Sequence, residues 1–258
     1  MAWLILAILK ELFHFVLLLL LRTTVFLFVR KGVLPCGHLL VIAPHPDDEI
    51  LGAGGAILSA LQQKKTVHLL FLTDGEGTGV VNDPKKIRVE RAKLSAMVMQ
   101  RLGIPDENQH RFHLVDGRVP HQHDAAFGNV VTRIKELIDV IKPDNVMATH
   151  RLDYWPYDHV ACADLAMAAL ALSNHKPALY FYWVWAWYNL RPWALWFSRP
   201  AGLFVVNISP WVKAKRELVD VYLNSKTPTG QPWSGVLPVA LRLASRFHIE
   251  VLEKRIVK

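Results

Sequence analysis

The sequence predicts an α/β fold, in which a mostly parallel sheet carries helices on both faces and a hydrophobic helix precedes it. From residue 34 onward, apolar runs of strand length alternate with helical patterns. The first thirty residues differ in composition and are almost wholly apolar. A chain of 258 residues without repeats or low-complexity linkers is long enough for one large domain plus an anchor. We therefore expect an anchoring helix over residues 1–33 and one α/β domain over residues 34–258.

The N-terminal segment predicts attachment to a membrane. Its main polar residues are Lys10, Glu11, His14 and Arg22. No small-residue cleavage site follows the apolar run, which argues against a signal peptide. Two alternatives stay open: a tilted span, or a helix lying in the interface with its polar stripe towards water or the domain. Arg30 and Lys31 follow directly, and the positive-inside tendency would keep the domain on the cytoplasmic face.

The alternating region gives five strands and four helices. The predicted strands are HLLVIA (38–43), TVHLLFL (66–72), RFHLV (111–115), NVMATH (145–150) and LFVVNI (203–208). The predicted helices lie near 52–63, 86–102, 125–141 and 158–172. Ligands of parallel α/β sheets bind beyond the carboxyl ends of the strands. The residues that follow each strand are therefore the candidates for a site.

The stretch VIAPHPDDEILGAGGAIL (41–58) concentrates charge where the first strand ends. His45 and Asp48 are three residues apart across a strand-to-helix turn, so both can reach one cation. Imidazole and carboxylate suit zinc, and catalytic zinc sites use three protein ligands. His159, which begins the helix after the fourth strand, is the candidate third ligand. Asp47 lies close enough to accept a proton without being a ligand.

The glycines of the same stretch do not indicate a nucleotide site. The spacing GAGG is not the GxGxxG of dinucleotide-binding folds, and a pyrophosphate would face three carboxylates. We expect these glycines to let the helix pack closely on the sheet.

Several motifs in order resemble the PIG-L/LmbE family of zinc-dependent de-N-acetylases. They are APHPDDE (43–49), TDGEGTG (73–79), RLGI (101–104), VDGR (115–118), Asp158-His159 and AKRELVDVYLNS (214–225). The resemblance runs from about Leu39 to Glu253 and implies a Rossmann-like domain. It implies one zinc ion per chain, held by His45, Asp48 and His159, with Asp47 as the general base.

The resemblance also suggests roles around the metal. Arg88 or Arg91, from the helix after TDGE, would lie near the sugar, and Asp116 would bind sugar hydroxyls. Glu49 would support the turn, and Asp158 would orient a histidine. Relatives often carry H-x-D-H, whereas this chain has Pro156-Tyr157-Asp158-His159 and lacks the first histidine. Tyr157 and His150 are the candidates for the missing proton donor.

The remaining composition bears on the substrate. The net charge of +8 favours an anionic partner. The aromatic segment 180–204 mixes tryptophans with Arg191 and Arg199 as membrane interfaces do, although the alternation in YFYWVWAWY also suits a core strand over part of it. The leading hypothesis is a membrane-associated deacetylase of an N-acetylglucosamine-type glycolipid, linked to phosphatidylinositol or to a polyprenyl diphosphate. The alternatives are the same chemistry on a soluble N-acetyl sugar (a thiol-cofactor precursor or chito-oligosaccharide), or a non-catalytic protein that binds lipid-linked sugars. No nucleic-acid module is recognisable, and nothing in the sequence indicates an oligomeric state.

Overall fold

A computed structural model describes residues 2–198 and 202–256; Arg199 of the aromatic segment lies outside them. The described residues form an eight-stranded sheet with the order β1-β7-β8-β6-β5-β2-β3-β4. The strands are β1 (Arg30–Lys31), β2 (Leu39–Ala43), β3 (Val67–Thr73), β4 (Gln109–Leu114), β5 (Asn145–Thr149), β6 (Ala178–Tyr182), β7 (Leu203–Asn207) and β8 (Ile249–Arg255). Among these described strands, only β8 runs antiparallel to its neighbours, β6 and β7. The prediction of a mostly parallel α/β sheet is confirmed.

Helices flank this sheet. They are α1 (Ala2–Phe28), α2 (Asp48–Gln62), α3 (Pro84–Leu102), α4 (Phe127–Ile141), α5 (Tyr157–Leu172), α6 (Ala186–Asn189), α7 (Pro192–Ser198), α8 (Val212–Asn224) and α9 (Val239–Ala244). Short 3-10 helices occur at Glu76–Thr78 and Asp106–Asn108. The five predicted strands and four predicted helices are all present, with ends shifted by up to four residues.

The sheet is buried on both faces. In β2 every residue is buried because alternate side chains enter different cores. Leu39 and Val41 pack with helices α2, α3 and α8 on one face. Leu40 and Ile42 pack with α4 and α5 on the other. This double coverage explains the continuous apolar runs.

A third core incorporates the N-terminal helix. Leu18, Leu21 and Val25 of α1 pack against Trp183, Trp187, Val205, Leu241 and their neighbours. After α1 the chain adds β1 to the sheet edge, where Arg30 pairs with Phe204. Residues 1–33, predicted as an anchor, thus also contribute to the core and the sheet.

The opposite face of α1 is exposed and mostly apolar, although Lys10 and Arg22 are exposed as well. Its exposed residues include Leu12, Phe13, Val16, Leu19, Leu20, Phe26 and Leu27. By length and composition Ile8–Phe28 could cross a membrane, with a mean hydropathy of 1.9. The described residues of the helix therefore present one face to the protein and a mostly apolar face outwards.

Close packing of α2 accounts for two of its glycines. A Cβ at Gly52 would lie 2.2 Å from the Tyr182 ring, and one at Gly55 would lie 2.4 Å from Ile208. The prediction that these glycines serve helix packing is confirmed. This contact fixes the start of α2, where the charged motif lies.

Candidate metal centre and active site

Two turns at the carboxyl edge of the sheet bring His45, Asp48 and His159 together. His45 lies between β2 and α2, Asp48 is the first residue of α2, and His159 lies in the first turn of α5. His45 Nδ1 is 3.0 Å from Asp48 Oδ2, and His159 Nε2 is 3.3 Å from the same oxygen. One ligand atom from each residue fits within a 4.8 Å cluster.

The donors of this cluster fit a divalent metal ion. His159 Nε2 is buried and has no hydrogen-bond partner among the described residues, although Asp48 Oδ2 is near. A buried ring nitrogen without a partner is costly unless a ligand satisfies it. Two imidazoles and one carboxylate form the three-ligand set of catalytic zinc sites, which keep a further position open. His45 Nδ1, Asp48 Oδ2 and His159 Nε2 are therefore the atoms that could hold the ion.

The other nitrogen of His45 meets two carboxylates. Its Nε2 lies 3.1 Å from Asp116 Oδ1 and 3.2 Å from Asp158 Oδ2. These three residues form a second possible metal cluster. However, Asp158 already accepts the amides of Gly117 and Val119, at 2.7 and 3.1 Å. Because metal-ligating histidines commonly bond a carboxylate through their second nitrogen, we assign Asp116 and Asp158 to orienting His45.

Asp153 supports His159 in the same way, and sequence reasoning did not identify it. Its carboxylate lies 3.1 Å from His159 Nδ1 and also accepts the amides of Val184 and Ala186. Asp153 is fully buried in the loop after β5. The only signal was a carboxylate six residues before a proposed ligand, which does not distinguish it from a loop residue.

Asp47 lies beside the cluster in a strained backbone conformation. Its φ of 131° belongs to the region that favours glycine. Glu49 Oε2 accepts the Asp47 amide at 2.8 Å, and Tyr222 donates its hydroxyl to Glu49 Oε1 at 2.7 Å. Glu49 itself is buried and does not line the cavity. A buried Tyr222–Glu49 pair thus holds the backbone at Asp47.

Arg91 faces Asp47, whereas Arg88 does not. Arg91 Nη2 lies 3.3 Å from Asp47 Oδ2 and donates to the Pro46 carbonyl. A side chain at Gly75, whose φ is +71°, would collide with this guanidinium. Arg88 is half exposed and pairs with Asp74 and Glu76 instead. Of the two predicted arginines, only Arg91 lines the cavity.

Burial and charge separate the protonation of the neighbouring aspartates. Burial raises the pKa of Asp47 to about 7, although the Arg91 guanidinium opposes this. Burial also disfavours ionised Asp48, but His159 and His45 outweigh it and hold the pKa of Asp48 well below its usual value. Asp47 is therefore suited to exchange a proton near neutral pH, while Asp48 stays anionic, as a metal ligand must.

The histidines respond to the surrounding carboxylates. Burial alone would lower the pKa of His159, but Asp48 and Asp153 raise it to about 9. For His45, burial is likewise outweighed by Asp116, Asp158 and Asp48, and its pKa is raised. The carboxylates thus make this site favourable for positive charge.

These residues open into a cavity of about 460 Å³. Its lining includes His45, Asp47, Asp48, Arg91, Asp116 and Asp158, with Thr78, Trp155, Tyr157, Trp185, Val236 and Leu237. His150 is not among the lining residues. Its Nε2 contacts Glu253 and its Nδ1 accepts the Leu152 amide. The structure therefore brings Tyr157 to the site and places His150 away from it.

The family model described as GlcNAc-PI de-N-acetylase, PIG-L, matches residues 40–170. This match covers just over half of the chain and includes all three candidate metal ligands. The chain belongs to the PIG-L family. As a PIG-L protein it is an enzyme, a metal-dependent amidohydrolase of the deacetylase type.

Solved structures share the fold of this PIG-L protein. The conserved protein TT1542 from Thermus thermophilus is 27% identical, with a TM-score of 0.57 over 80% of this chain and 84% of its own. N,N'-diacetylchitobiose deacetylase from Pyrococcus horikoshii is 20% identical, with a TM-score of 0.55 over 82% and 78%. GalB, the 4-carboxy-2-hydroxymuconate hydratase of Pseudomonas putida, is 16% identical, with a TM-score of 0.60 over 86% and 98%. Since one of these is a hydratase, the fold alone does not determine the reaction.

The rim of this PIG-L site differs from the H-x-D-H pattern in one place. Pro156 occupies the position of the first histidine and contributes no proton donor. Tyr157, the next residue, is largely exposed and lines the cavity. Trp155 lies on the other side of Pro156, with its ring 4.8 Å from that of Trp185. Aromatic rings thus replace an imidazole at the mouth of the site.

Proposed function

We propose that this protein is a zinc-dependent deacetylase that hydrolyses the acetamide of an N-acetylglucosamine-type glycolipid at a membrane surface. The products are the free amine and acetate. The observation that carries the proposal is the cluster of His45, Asp48 and His159 with protonatable Asp47 beside it. The catalytic domain would lie on the cytoplasmic face.

The residues around the cluster divide the reaction between them. A zinc ion bound by His45, Asp48 and His159 would supply a Lewis acid and lower the pKa of water. Asp47 takes a proton from water as the water oxygen bonds to the acetyl carbon. When the carbon–nitrogen bond breaks, Asp47 returns that proton to the leaving amine. Arg91 keeps the Asp47 carboxylate in place between these transfers.

Tyr157 is our candidate for the proton donor that replaces the missing histidine. Its ring lines the cavity, whereas both ring nitrogens of His150 have protein partners. A phenol at this position can donate a hydrogen bond to the oxygen of the attacked carbonyl. Trp155, half exposed at the same rim, offers an apolar face for the sugar ring. Asp116 can accept a sugar hydroxyl with the carboxylate oxygen that receives the Gly77 amide.

The outer face of α1 supports a substrate presented in a membrane. The side of this helix that contacts the protein contains buried Leu18 and Leu21 and half-buried Glu11 and His14, whereas Lys10 and Arg22 are exposed. Most of its outward residues are apolar, as in a helix lying in the interface. Among the two alternatives, this arrangement favours an interfacial helix over a span, because the docked side cannot simultaneously contact lipid. A soluble N-acetyl sugar would make no use of that apolar face.

The test measures acetate released by zinc-loaded, full-length protein. We expect release from N-acetylglucosaminyl-phosphatidylinositol or a polyprenyl-diphosphate-linked N-acetylglucosamine in mixed micelles. Asp47→Asn should lower the rate by about 10²- to 10⁴-fold, because the general base is lost. The same variant should keep its zinc, measured by metal analysis, whereas Asp48→Asn should lose it.

The outcomes separate the parts of the proposal. No acetate from any N-acetyl sugar would refute deacetylation. Equal turnover of a lipid-linked sugar and of methyl N-acetylglucosaminide would refute the glycolipid and support the soluble alternative. Loss of zinc in Asp47→Asn would instead make Asp47 a ligand.

A further inference from the structure

A shallow apolar groove lies between the N-terminal helix and α9. Ile8, Leu12 and Phe15 of α1 form one side, and Val239 of α9 forms the other. Glu11 adds one acidic side chain, whose Oε2 has no hydrogen-bond partner in the described part of the chain. The groove holds about 420 Å³. None of the catalytic residues described above lines this groove.

The groove opens close to the catalytic cavity. Val236 and Leu237 line the cavity, and Val239 lines the groove. Three residues of extended chain span at most about 11 Å, so the two openings are neighbours. Val236 is 67% exposed and Val239 is 47% exposed, so the ridge between the openings is itself apolar. Val236 and Val239 thus form a short apolar path on the surface between the two openings.

The path runs from the carboxyl edge of the sheet because α1 begins there. His14 stacks on Tyr188, with ring centroids 4.3 Å apart, and Tyr188 belongs to α6, which follows β6. Arg191, between α6 and α7, places a positive charge beside this part of α1. The Arg191 guanidinium lies 5.6 Å from the Phe13 ring, and its Nη1 is buried without a hydrogen-bond partner among the described residues. A cation beside an apolar path complements an amphiphile with a phosphate near its hydrocarbon chain.

We propose that a hydrocarbon chain of the substrate leaves the catalytic cavity over Val236 and Val239 and lies in the groove against Leu12 and Phe15. The inference rests on the proposed function and adds the site that would bind the lipid. The sugar would then occupy the cavity while its chain reaches the apolar face of α1. A chain-binding groove makes binding tighten as the chain lengthens, because each methylene leaves water.

Binding of alkyl N-acetylglucosaminides tests this directly. Methyl and octyl N-acetyl-β-glucosaminide, below the micelle concentration, are titrated into full-length protein by calorimetry. Each buried methylene tightens binding by up to about fourfold, so octyl should bind roughly tenfold or more tightly than methyl. Leu12→Asp and Val239→Asp should each remove most of this gain. Val140→Asp is the matched control, since Val140 is an exposed valine on α4 at the other end of the sheet.

Each result decides the inference. Loss of the chain-length gain in both groove variants, with the gain kept in Val140→Asp, supports it. An unchanged gain in Leu12→Asp and Val239→Asp, or an equal loss in all three variants, overturns it. If the two groove variants instead dissociate a dimer in sedimentation and keep the gain, a second copy of the chain occupies the groove. Acetate release is measured separately. If no acetate is released but binding still tightens with chain length, the deacetylase proposal is refuted and the groove is still supported as a chain-binding site.

Discussion

Asp47 combines a strained backbone with a buried carboxyl. A non-glycine residue at a φ of 131° costs about 1–3 kcal/mol, so neighbouring contacts must hold it there. Glu49 does so through the Asp47 amide, and Tyr222 holds Glu49. Burial raises the pKa of Glu49 to about 8. The base of the proposed reaction therefore depends on two residues that never reach the cavity.

Tyr222→Phe tests this support. The change removes the donor to Glu49 Oε1 and should lower kcat several-fold while leaving KM and zinc content similar. The buried acceptor left unpaired should also lower the free energy of unfolding by about 1–3 kcal/mol. Rates, zinc content and denaturant unfolding measure these effects.

Tyr182→Phe is the control for a purely structural loss. Tyr182 is also fully buried and donates one hydrogen bond, to the Ile42 carbonyl at 2.9 Å. The Tyr182→Phe variant should lose a similar free energy of unfolding without a similar loss of kcat. Equal effects on kcat in the two variants would mean that Tyr222 has no positioning role.

At the residue scale, the sequence predicted what spacing can reveal. His45 and Asp48 are close because three residues separate them, and His159 is near because parallel strands end at one edge. The hydrogen bonds of Asp153 and Tyr222 could not be predicted in this way. They join His159 to the loop before it and α8 to α2, contacts that depend on tertiary packing.

Helix α1 is the element whose two faces differ most in environment. Leu21 is fully buried in the third core, whereas its neighbour Leu20 is 51% exposed. In α1 nearly every side chain is apolar, so composition did not show which face contacts the protein. The polar residues did not show it either, since Glu11 and His14 are half-buried whereas Lys10 and Arg22 are exposed.

Leu21→Ala should therefore destabilise the protein by about 2–5 kcal/mol, as deletions in packed cores do. Leu20→Ala, one residue away, should change the free energy of unfolding by less than about 0.5 kcal/mol. Chemical denaturation in detergent-free buffer measures both. Equal, small effects would show that α1 does not dock on the domain in solution.

The predicted elements did not include the strands β1, β6 and β8 or the helices α6 to α9. β6 ends inside the aromatic run, where a core strand was only an alternative, and β8 carries charged residues among its apolar ones. β1 has two exposed charged residues, which no strand pattern would indicate. Such strands form because neighbouring strands offer them hydrogen-bond partners.

As a whole, the molecule combines a net charge of +8 with the exposed, mostly apolar face of α1. Each feature alone is compatible with a protein free in solution. Together they favour an anionic membrane surface, which attracts cations and accepts apolar side chains.

Vesicle sedimentation tests this property of the whole molecule. Full-length protein should bind vesicles containing phosphatidylserine more strongly than vesicles of phosphatidylcholine alone, and added salt should weaken the difference. The double variant Leu20→Asp, Leu27→Asp should bind both less, because it places charge on the exposed face. Val140→Asp should bind as the wild type does. If the double variant binds vesicles as strongly as the wild type, a surface other than this face of α1 contacts the membrane.

The third core also orders events during synthesis. Its N-terminal members, including Leu21, are made first, whereas Val205, Leu241 and Val251 come near the end of the chain. At a synthesis rate of about 5–20 residues per second, roughly 10–45 s pass between the synthesis of α1 and that of its last packing partners. During that interval both of its faces are uncovered, and a nearby bilayer is the one apolar phase that can accommodate them. Contact between α1 and the membrane would then begin before synthesis of the enzyme is complete. Folding of the domain would later cover one side of a helix that is already bound to lipid.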